Sequence, residues 1–368
     1  MGGAARDLLL GRAVPEVDAA VSADAEGIAR AMESEGFGRA VALSPAAPRV
    51  FRVAGKREVD LAEIEGASID EDLKRRDFTV NAMAFDLGKR RWLDPFGGLA
   101  DLSARRLREV APANLADDPL RVLRAARFLA THGLKPDANT SKNGRRVAPA
   151  LAGVAPERLR VEWMKMFEAA RVVPSLRWAA RVEALGPALH VDPTAARRLA
   201  RGIAVLDARA VAARKPESRR RLRLALLCAR VGLAPDLAPP WLAERRYGRF
   251  EAGGVGRRLA LAESARDADT PRRQWAWVRD AGPLAAEALL LLRLLSPGLT
   301  ARARALARRV RSAFRGGPAV SGKDVLAWRN IPPGPAVGRL LGELQIEILS
   351  GKVRTRLAAR AWLRAQPG

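Results

Sequence analysis

Two carboxylates near the start of the chain are separated by one residue, in the run Glu16-Val17-Asp18. Side chains two positions apart on a strand point to the same face, so Glu16 and Asp18 can face one divalent cation. The glycine pair Gly2-Gly3 lies upstream, where backbone N–H groups can approach a phosphate closely. On its own, a carboxylate pair is more often a solvated strand face, and a glycine pair is more often an ordinary turn. Together the two features predict nucleotidyl transfer.

The charge balance of the chain points to a polyanionic partner. The 368 residues include 65 Lys and Arg against 40 Asp and Glu, a formal net charge of +25. A compositional bias toward Arg would explain Arg in place of Lys, but it does not explain the shortage of carboxylates. Such a strong positive field favours binding to nucleic acid.

Composition also excludes several classes of protein. Cys228 is the only cysteine, so an intrachain disulfide and a Cys-based zinc site are excluded, and no disulfide-linked partner is expected. The most apolar run, residues 285–295, contains Glu287 and Arg293 and is shorter than the ~20 residues of a membrane span. No signal peptide is evident, and we expect no membrane partner and a cytoplasmic location.

Hydrophobic periodicity changes along the chain. Up to about residue 112, strand-like runs alternate with glycine turns and two helical stretches; the strand-like runs are residues 14–21, 39–43, 50–53, 58–62 and 91–93, and the helical ones are 23–35 and 69–74. From about residue 113 the pattern is helical, as in residues 118–132, 157–170, 216–230, 283–295 and 335–349. We therefore predict an α+β protein: an α/β head followed by all-helical regions. Proline- and glycine-rich breaks place the boundaries, giving a head at 1–112, a neck at 113–173, a body at 174–316 and a tail at 317–368.

Three sequence blocks occur in a characteristic order: residues 72–84 (DLKRRDFTVNAMA), 94–102 (DPFGGLADL) and 117–128 (DDPLRVLRAARF). With the glycine pair and the carboxylate pair, they resemble the class II tRNA nucleotidyltransferase and bacterial poly(A) polymerase family. The resemblance extends to about residue 170 and resumes in the tail at 321–324 (SGKD) and 332–338 (PPGPAVG). It implies a nucleotidyltransferase head and template-independent addition of C and/or A to tRNA 3′ ends from CTP and ATP.

The resemblance and the spacing together assign roles within the head. Glu16 and Asp18 are the predicted metal ligands, with Mg²⁺ as the expected ion, because it prefers carboxylate oxygen and keeps several waters. By resemblance, Asp60 is the third acid, which would activate the primer hydroxyl; on its own it could be a surface acid.

Gly2, Gly3 and Arg6 would cradle the triphosphate, since a glycine turn before a helix start suits phosphate. Asp7 would orient Arg6, and the resemblance assigns Asp77, supported by Arg76, to the nucleotide ribose.

The block at 117–128 looks like the family's base-reading motif. Asp118 and Arg121 would share a helix face and present an acceptor and donors to the edge of cytosine or adenine. Arg124 and Arg127 continue that face and could reach phosphates, or they could form a solvated basic surface. Charged residues in 157–163 (ERLRVEW) would brace this helix.

Three departures from the family pattern bear on activity. Glu16 occupies a position that is usually Asp, and is one methylene longer. The family's first strand normally precedes the glycine pair, which here follows Met1, so the sheet would lack an edge strand or the start would be assigned too late. Only five residues separate Ala62 from Ser68, where CCA-adding relatives carry a longer loop tied to the switch from C to A, so addition of A stays open.

Two alternatives remain: a poly(A) polymerase of the same fold, which the segment at 36–40 (GFGRA) disfavours, and a non-catalytic RNA-binding relative. The helical part carries basic clusters at 145–146, 197–201, 215–223 and 302–315, which together predict a surface that follows RNA phosphates. The two histidines, His132 and His190, have no neighbouring Asp in the sequence and are expected to be ordinary surface or core residues.

Overall fold

The computed structural model describes residues 1–44, 49–313 and 315–366. Within them the chain forms two compact units, Met1–Ile203 and Ala204–Gly368. The four-part division into head, neck, body and tail stays a prediction.

The first unit begins with a small mixed sheet. Its four strands are β1 (Glu16–Val21), β2 (Arg39–Ser44), β3 (Val50–Ala54) and β4 (Glu58–Glu63), in the spatial order β1-β4-β3-β2. β1 and β4 are parallel, whereas β3 is antiparallel to both β4 and β2. In β3, Phe51 and Val53 are buried and Arg52 lies on the opposite face, as strand alternation requires.

Helices and short strands complete this unit. The remaining strands are β5 (Ala84–Asp86), β6 (Arg91–Leu93), β7 (Arg106–Leu107) and β8 (Lys135–Pro136). The helices are α1 (Gly2–Leu9), α2 (Ala25–Ser34), α3 (Ile69–Lys74), α4 (Gly98–Ser103), α5 (Pro112–Asp117), α6 (Leu120–His132), α7 (Ala138–Val147), α8 (Pro156–Glu168), α9 (Val173–Arg181), α10 (Leu185–Leu189) and α11 (Pro193–Gly202).

Two packing layers hold the elements that matter for the site. α2 covers the sheet through buried Ala25 and Ala29, and Asp24 caps this helix by accepting a hydrogen bond from the Gly27 amide. α6 packs against α8 and α9 and buries one face that includes Leu123 and Phe128. This face follows the 3.6-residue period, which explains why the sequence predicted the helix.

The described residues of the second unit form helices and no strands. Its helices are α12 (Arg209–Ala212), α13 (Pro216–Val231), α14 (Ala238–Glu244), α15 (Arg249–Ser264), α16 (Pro271–Ala281), α17 (Ala285–Leu295), α18 (Thr300–Ser312), α19 (Gly322–Arg329), α20 (Pro335–Leu349) and α21 (Arg356–Arg364). Single 3-10 turns occur in both units, at Thr79–Asn81, Ala148–Gly153, Ile203–Asp207, Ala265–Asp267, Gly282–Leu284 and Pro297–Leu299. In the last helices, Ser321 and Asp324 form a reciprocal capping box at the start of α19.

The predicted α+β class is confirmed, and its elements lie close to their predicted bounds. α3 and α20 match the predicted helices residue for residue, and β1 to β4 match the predicted strands to within two residues. One detail differs: strands do not end at residue 112, because Lys135–Pro136 pairs in parallel with Arg106–Leu107. A two-residue strand is too short to show alternation in the sequence.

Buried charge pairs stabilise the second unit. Glu287 on α17 accepts hydrogen bonds from Ser218 Oγ and Arg258 Nε, each at 2.5 Å. Arg223 is fully buried against Asp207 at 2.7 Å, and burial lowers its pKa to about 10. Cys228 is also buried, which raises the pKa of its thiol to about 12 and keeps it protonated at neutral pH.

No helix among the described residues is long and apolar enough to cross a membrane.

Removing Glu287 should destabilise the second unit strongly. Glu287→Ala leaves the buried Arg258 guanidinium without its carboxylate, which costs about 3–5 kcal/mol in comparable buried pairs. The double variant Arg258→Leu/Glu287→Leu removes both charges, so chemical denaturation should show it recovering much of the lost free energy of unfolding. A double variant as unstable as Glu287→Ala would contradict the role of the pair.

Candidate active site

The predicted metal-binding pair lies at the edge strand β1. Glu16 and Asp18 are two residues apart on that strand, so both side chains leave the same face. Asp60 on β4 is the register partner of Asp18, which places the third predicted acid beside the pair. The strand register therefore brings together the three acids that the sequence had proposed separately.

Asp60 is held by an arginine that the sequence analysis missed. Arg52, its partner on β3, donates from Nε at 2.7 Å and from Nη2 at 2.8 Å to the two Asp60 oxygens. Arg52 also lies 2.9 Å from Glu58. The hydrogen bonds with Asp60 raise the pKa of Arg52 above its usual range. The β3–β4 hairpin register, readable from residues 50–63, was the available signal for this contact.

The glycine pair opens α1 beside Asp18. Gly2 has φ +62°, and a Cβ there would lie 2.8 Å from Arg76 Nη1 and 3.6 Å from Asp18 Oδ2. A side chain at position 2 would therefore be both strained and obstructed. Arg76 pairs with Asp72 at 3.1 Å, while its Nε is buried and lacks a hydrogen-bond partner among the described residues. An unsatisfied buried donor at this turn suits an anionic ligand.

Arg6 is fixed by its neighbours rather than free in solvent. Asp7 accepts two hydrogen bonds from it, at 3.0 and 2.8 Å, as the sequence analysis expected. Asn81 accepts a third at 2.5 Å, and the guanidinium lies 5.0 Å from the Phe128 ring centre. The cation is thereby oriented before any ligand arrives.

His132 also contacts Asp7, so it is not an isolated core histidine. Its Nε2 lies 3.2 Å from Asp7 Oδ1. Burial alone would raise the pKa of Asp7, but hydrogen bonds with His132 and Arg6 outweigh it and lower that pKa to about 2. Burial lowers the pKa of His132, and the charges of Arg6 and Arg12 act in the same direction. We infer a neutral imidazole beside an ionised carboxylate at neutral pH.

Asp77 is buried and fully occupied by protein donors. One oxygen accepts from the Phe78 amide and from Asn81 Nδ2, both at 2.8 Å. The other accepts from Arg124 Nε at 2.9 Å and Nη2 at 2.7 Å. Burial works against ionisation, but Arg124 and these hydrogen bonds lower the pKa of Asp77 overall. The observed contacts make Asp77 the residue that positions Arg124, and its ribose contact stays a prediction.

The predicted base-reading pair lies at the start of α6. The sequence analysis placed Asp118 within a helix, and this was wrong. Asp118 has an extended conformation before Pro119. Its Oδ2 accepts from Arg158 Nη2 at 2.8 Å, and Arg121 Nη1 donates to the Asn114 carbonyl at 3.0 Å. Arg158 belongs to the segment 157–163 that was predicted to brace this helix, and it holds Asp118 just before the helix begins.

Arg124 and Arg127 do not form a solvated basic surface. Arg127 Nε donates to Glu162 on α8 at 2.5 Å, and its guanidinium lies 4.2 Å from the Phe128 ring centre. Arg124 is held by Asp77. Both arginines therefore have a carboxylate partner, which offsets the repulsion between neighbouring cations.

One cavity of about 690 Å³ collects most of these groups. Its lining includes the predicted residues Gly3, Arg6, Glu16, Asp18, Arg76, Asp77, Asp118, Arg121, Arg124 and Arg127. Carboxylates from β1 lie at one part of the wall and arginines from α6 at another. Asp60 is outside this lining, beside Asp18 on the sheet.

The acids suit a hard divalent cation that brings ligands of its own. Among residues 1–44, 49–313 and 315–366, no group of three or more His, Cys, Asp or Glu is arranged to hold a metal ion. Mg²⁺ commonly binds through one or two carboxylates plus water and substrate phosphate. Glu16 and Asp18 match that donor set.

Comparison with known proteins points in the same direction. Residues 1–108 match the family model described as the poly A polymerase head domain. The chain is 32% identical to a CC-adding tRNA nucleotidyltransferase of Geobacter sulfurreducens, over 99% of this chain and 90% of that protein. It is 28% identical to another from Synechocystis, over 98% and 92%.

A solved structure shares the whole architecture. The CCA-adding enzyme of Bacillus stearothermophilus in complex with CTP superposes with a TM-score of 0.75 at 28% identity, covering 98% of this chain and 91% of that one. The likeness therefore spans both units rather than the head alone.

Protonation of His132 should destabilise the protein. Because the pKa of His132 is lowered on folding, its contribution is fully present above the unfolded value of 6.5 and is lost as pH falls through 6.5 toward the folded value. Between pH 7.5 and 5.5, wild type should lose more stability than His132→Gln, by at most about 1.4 kcal/mol per pH unit. Thermal melts of both proteins, with His190→Gln as the control, measure this; parallel curves for wild type and His132→Gln would refute it.

Proposed function

The chain belongs to the class II tRNA nucleotidyltransferase family, and on that premise we propose that it adds C, but not A, to tRNA 3′ ends, with CTP as its nucleotide substrate. The enzyme class follows from relatives that match nearly the whole chain, among them two CC-adding enzymes. A poly(A) polymerase and a non-catalytic RNA-binding protein are both less consistent with these full-length matches and with the assembled cavity.

The connection between β4 and α3 is the observation on which the restriction to C depends. It consists of residues 64–68. The Ala67 amide donates to Glu71 Oε2 at 2.8 Å, the Glu65 amide donates to Asp72 Oδ1 at 3.3 Å, and Ser68 caps α3. The segment is therefore short and tied to the following helix. The resemblance implies that CCA-adding relatives carry a longer loop at this point, tied to the switch from C to A.

Base selection is assigned to Asp118 and Arg121. Both line the cavity, and each uses only part of its hydrogen-bonding capacity in binding protein. Arg121 has further N–H donors, and Asp118 Oδ1 accepts only a 3.3 Å bond from the Leu120 amide among the described residues. An acceptor and donors that are available together suit the amino and carbonyl groups of a cytosine edge.

Arg6, Arg76 and the glycine pair are assigned to the triphosphate. The 3′-oxygen of the RNA attacks the α-phosphorus of CTP, and the bond to the pyrophosphate oxygen breaks. Arg6 and Arg76 offset the charge on the departing pyrophosphate, and Gly2 and Gly3 leave room for it. Arg124 and Arg127, held by their carboxylates, extend this positive wall.

A divalent metal ion completes the site, and we assign Mg²⁺ to Glu16 and Asp18. When bound, the ion supplies positive charge at the α-phosphate and lowers the pKa of the attacking hydroxyl. Asp60 is assigned to the proton of that hydroxyl, which its carboxylate can accept after exchanging one hydrogen bond from Arg52. We assign the reaction to the cytoplasm, where its RNA and nucleotide substrates occur.

The nucleotide restriction can be tested with defined RNA ends. Purified protein should extend a tRNA transcript ending at the discriminator base by two residues with CTP alone, because Asp118 and Arg121 accept cytosine. It should not extend a transcript already ending in CC when given ATP. Gel electrophoresis with each labelled nucleotide gives the answer, and addition of A to the CC end would show a complete CCA-adding enzyme instead.

Asp18→Asn should abolish chemistry and spare RNA binding. The substitution keeps the shape of the side chain but removes a charge that the metal ion needs, so CMP incorporation should fall by about 100-fold or more. Asp70→Asn, which removes an exposed carboxylate from α3, is the control and should keep wild-type activity. A similar loss of tRNA affinity and rate in Asp18→Asn would place the residue in binding rather than in chemistry.

A further inference from the structure

His132, the last residue of α6, connects that helix to α1. Its Nε2 lies 3.2 Å from Asp7 Oδ1, and its Nδ1 lies 2.7 Å from Thr131 Oγ1. The side chain is 7% exposed, and its ring centre lies 5.4 Å from that of Phe128. The imidazole is therefore held in one orientation at the wall of the cavity that contains the predicted site residues.

These contacts assign the proton of the neutral imidazole. Asp7, whose pKa is lowered to about 2, is ionised at neutral pH, and an ionised carboxylate can only accept a hydrogen bond. The contact with Asp7 therefore requires the proton on Nε2, and Nδ1 accepts from the hydroxyl of Thr131. The tautomer assigned in this way makes His132 a hydrogen-bond donor to Asp7.

Helix geometry alone does not bring the side chains of Arg6 and Asp7 together. Adjacent residues of an α-helix point about 100° apart, so their side chains do not face each other. Yet Arg6 Nε and Nη2 donate to the two Asp7 oxygens at 3.0 and 2.8 Å. Among the described residues, Arg6 and His132 are the recorded donors to the Asp7 carboxylate, and His132 is the one outside α1. His132 therefore fixes the carboxylate to which Arg6 is bound.

The part of the Arg6 guanidinium that these contacts do not use faces the glycine turn. Of its five N–H groups, two donate to Asp7 and one donates to Asn81 at 2.5 Å, which leaves one on Nη1 and one on Nη2. A Cβ at Gly3 would lie 3.6 Å from Nη2, 3.8 Å from Nη1 and 4.0 Å from Asp18 Oδ2. The two remaining donors thus lie beside the turn and a predicted metal ligand, an arrangement that suits a bidentate contact with a phosphate group.

We propose that His132 is a positioning residue for the nucleotide triphosphate: through its hydrogen bond to Asp7, it holds the Arg6 guanidinium with two donors toward the phosphates. This inference rests on the proposed function, which assigns Arg6 to the triphosphate. His132 acts on nucleotide binding through Arg6 and not by contact with the substrate. Without His132, the carboxylate and the guanidinium adopt other rotamers, and CTP binding then requires that they be ordered again.

Two substitutions at position 132 separate the hydrogen bond from the volume of the side chain. His132→Gln keeps an N–H donor at a reach similar to that of Nε2, and His132→Leu keeps the volume without a donor. Thr131→Val removes the hydroxyl that orients the imidazole and keeps the shape of the side chain. His190 is exposed and does not line the cavity, so His190→Gln is the matched control. Thermal melts show which variants fold.

For His132→Leu, the KM for CTP should rise about five- to tenfold, because a hydrogen bond to a charged group is lost, while the KM for tRNA stays within about twofold of wild type. His132→Gln should keep the KM for CTP within about twofold of wild type, and Thr131→Val should raise it about two- to threefold. Equilibrium binding should show the same order for CTP and no change for CMP, which lacks the β- and γ-phosphates. A variant that is merely partly unfolded would lower kcat and leave both KM values unchanged.

A double-mutant cycle with Arg6→Gln tests the path of the effect. In the Arg6→Gln background, His132→Leu should change the affinity for CTP by less than about twofold, since the side chain that it positions is absent. Full additivity of the two substitutions would overturn the proposal, as would wild-type CTP affinity in His132→Leu or an equal loss in His132→Leu and His132→Gln. If His132→Leu does not fold, wild-type CTP affinity in Thr131→Val overturns it instead.

Failure of the proposed function gives a different result. If wild-type protein binds CTP and His132→Leu weakens that binding as expected, but no CMP is incorporated into tRNA, the enzymatic assignment is wrong and the positioning role stands. If wild-type protein incorporates CMP and His132→Leu binds CTP as wild type does, only the role of His132 is wrong. Wild-type protein that binds no CTP would overturn both.

Discussion

The active-site wall depends on one buried carboxylate. Asp77 uses both oxygens to accept bonds from Phe78, Asn81 and Arg124, and so fixes α6 against the region that follows α3. A buried carboxylate without such partners would be strongly unfavourable, so the packing of α6 and the ionisation of Asp77 require each other. Since Arg121 lies one turn before Arg124 on this helix, the same contact decides where the Arg121 guanidinium lies beside the cavity.

Two further charge pairs lie near the contact between Asp77 and Arg124. Arg127 on α6 is paired with Glu162, and Asp118, just before α6, is paired with Arg158, so α8 holds both the helix and the segment that leads into it. These pairs allow several guanidiniums to surround one cavity while the protein itself offsets part of their repulsion. The cations are consequently oriented before any ligand arrives, which reduces the reorganisation that binding requires.

Helices and strands with a clear local period were predicted from the sequence. Side-chain contacts that depend on strand register, or that join residues far apart in the chain, were missed. Strands β1 to β4 and helix α6 have clear alternation or a 3.6-residue period, and their bounds were found closely. The pairing of Asp60 with Arg52 required the hairpin register, and the contact between Asp7 and His132 joins residues 125 positions apart. Asp118 was placed in a helix although it precedes Pro119, and a residue before proline favours an extended conformation. That signal was present in the sequence.

Arginine is used in two different ways in this protein. Around the cavity of the first unit, Arg6, Arg124 and Arg127 each have a carboxylate partner, which fixes their geometry for a small ligand with one productive orientation. In the second unit, Arg304, Arg308 and Arg311 line a cavity and have no such partner among the described residues. Flexible unpaired cations suit a long polyanion, since release of its counterions supplies affinity without exact placement of any single contact. Fixed geometry is therefore found at the cavity of the first unit, and unpaired positive charge is found on the exposed face of α18.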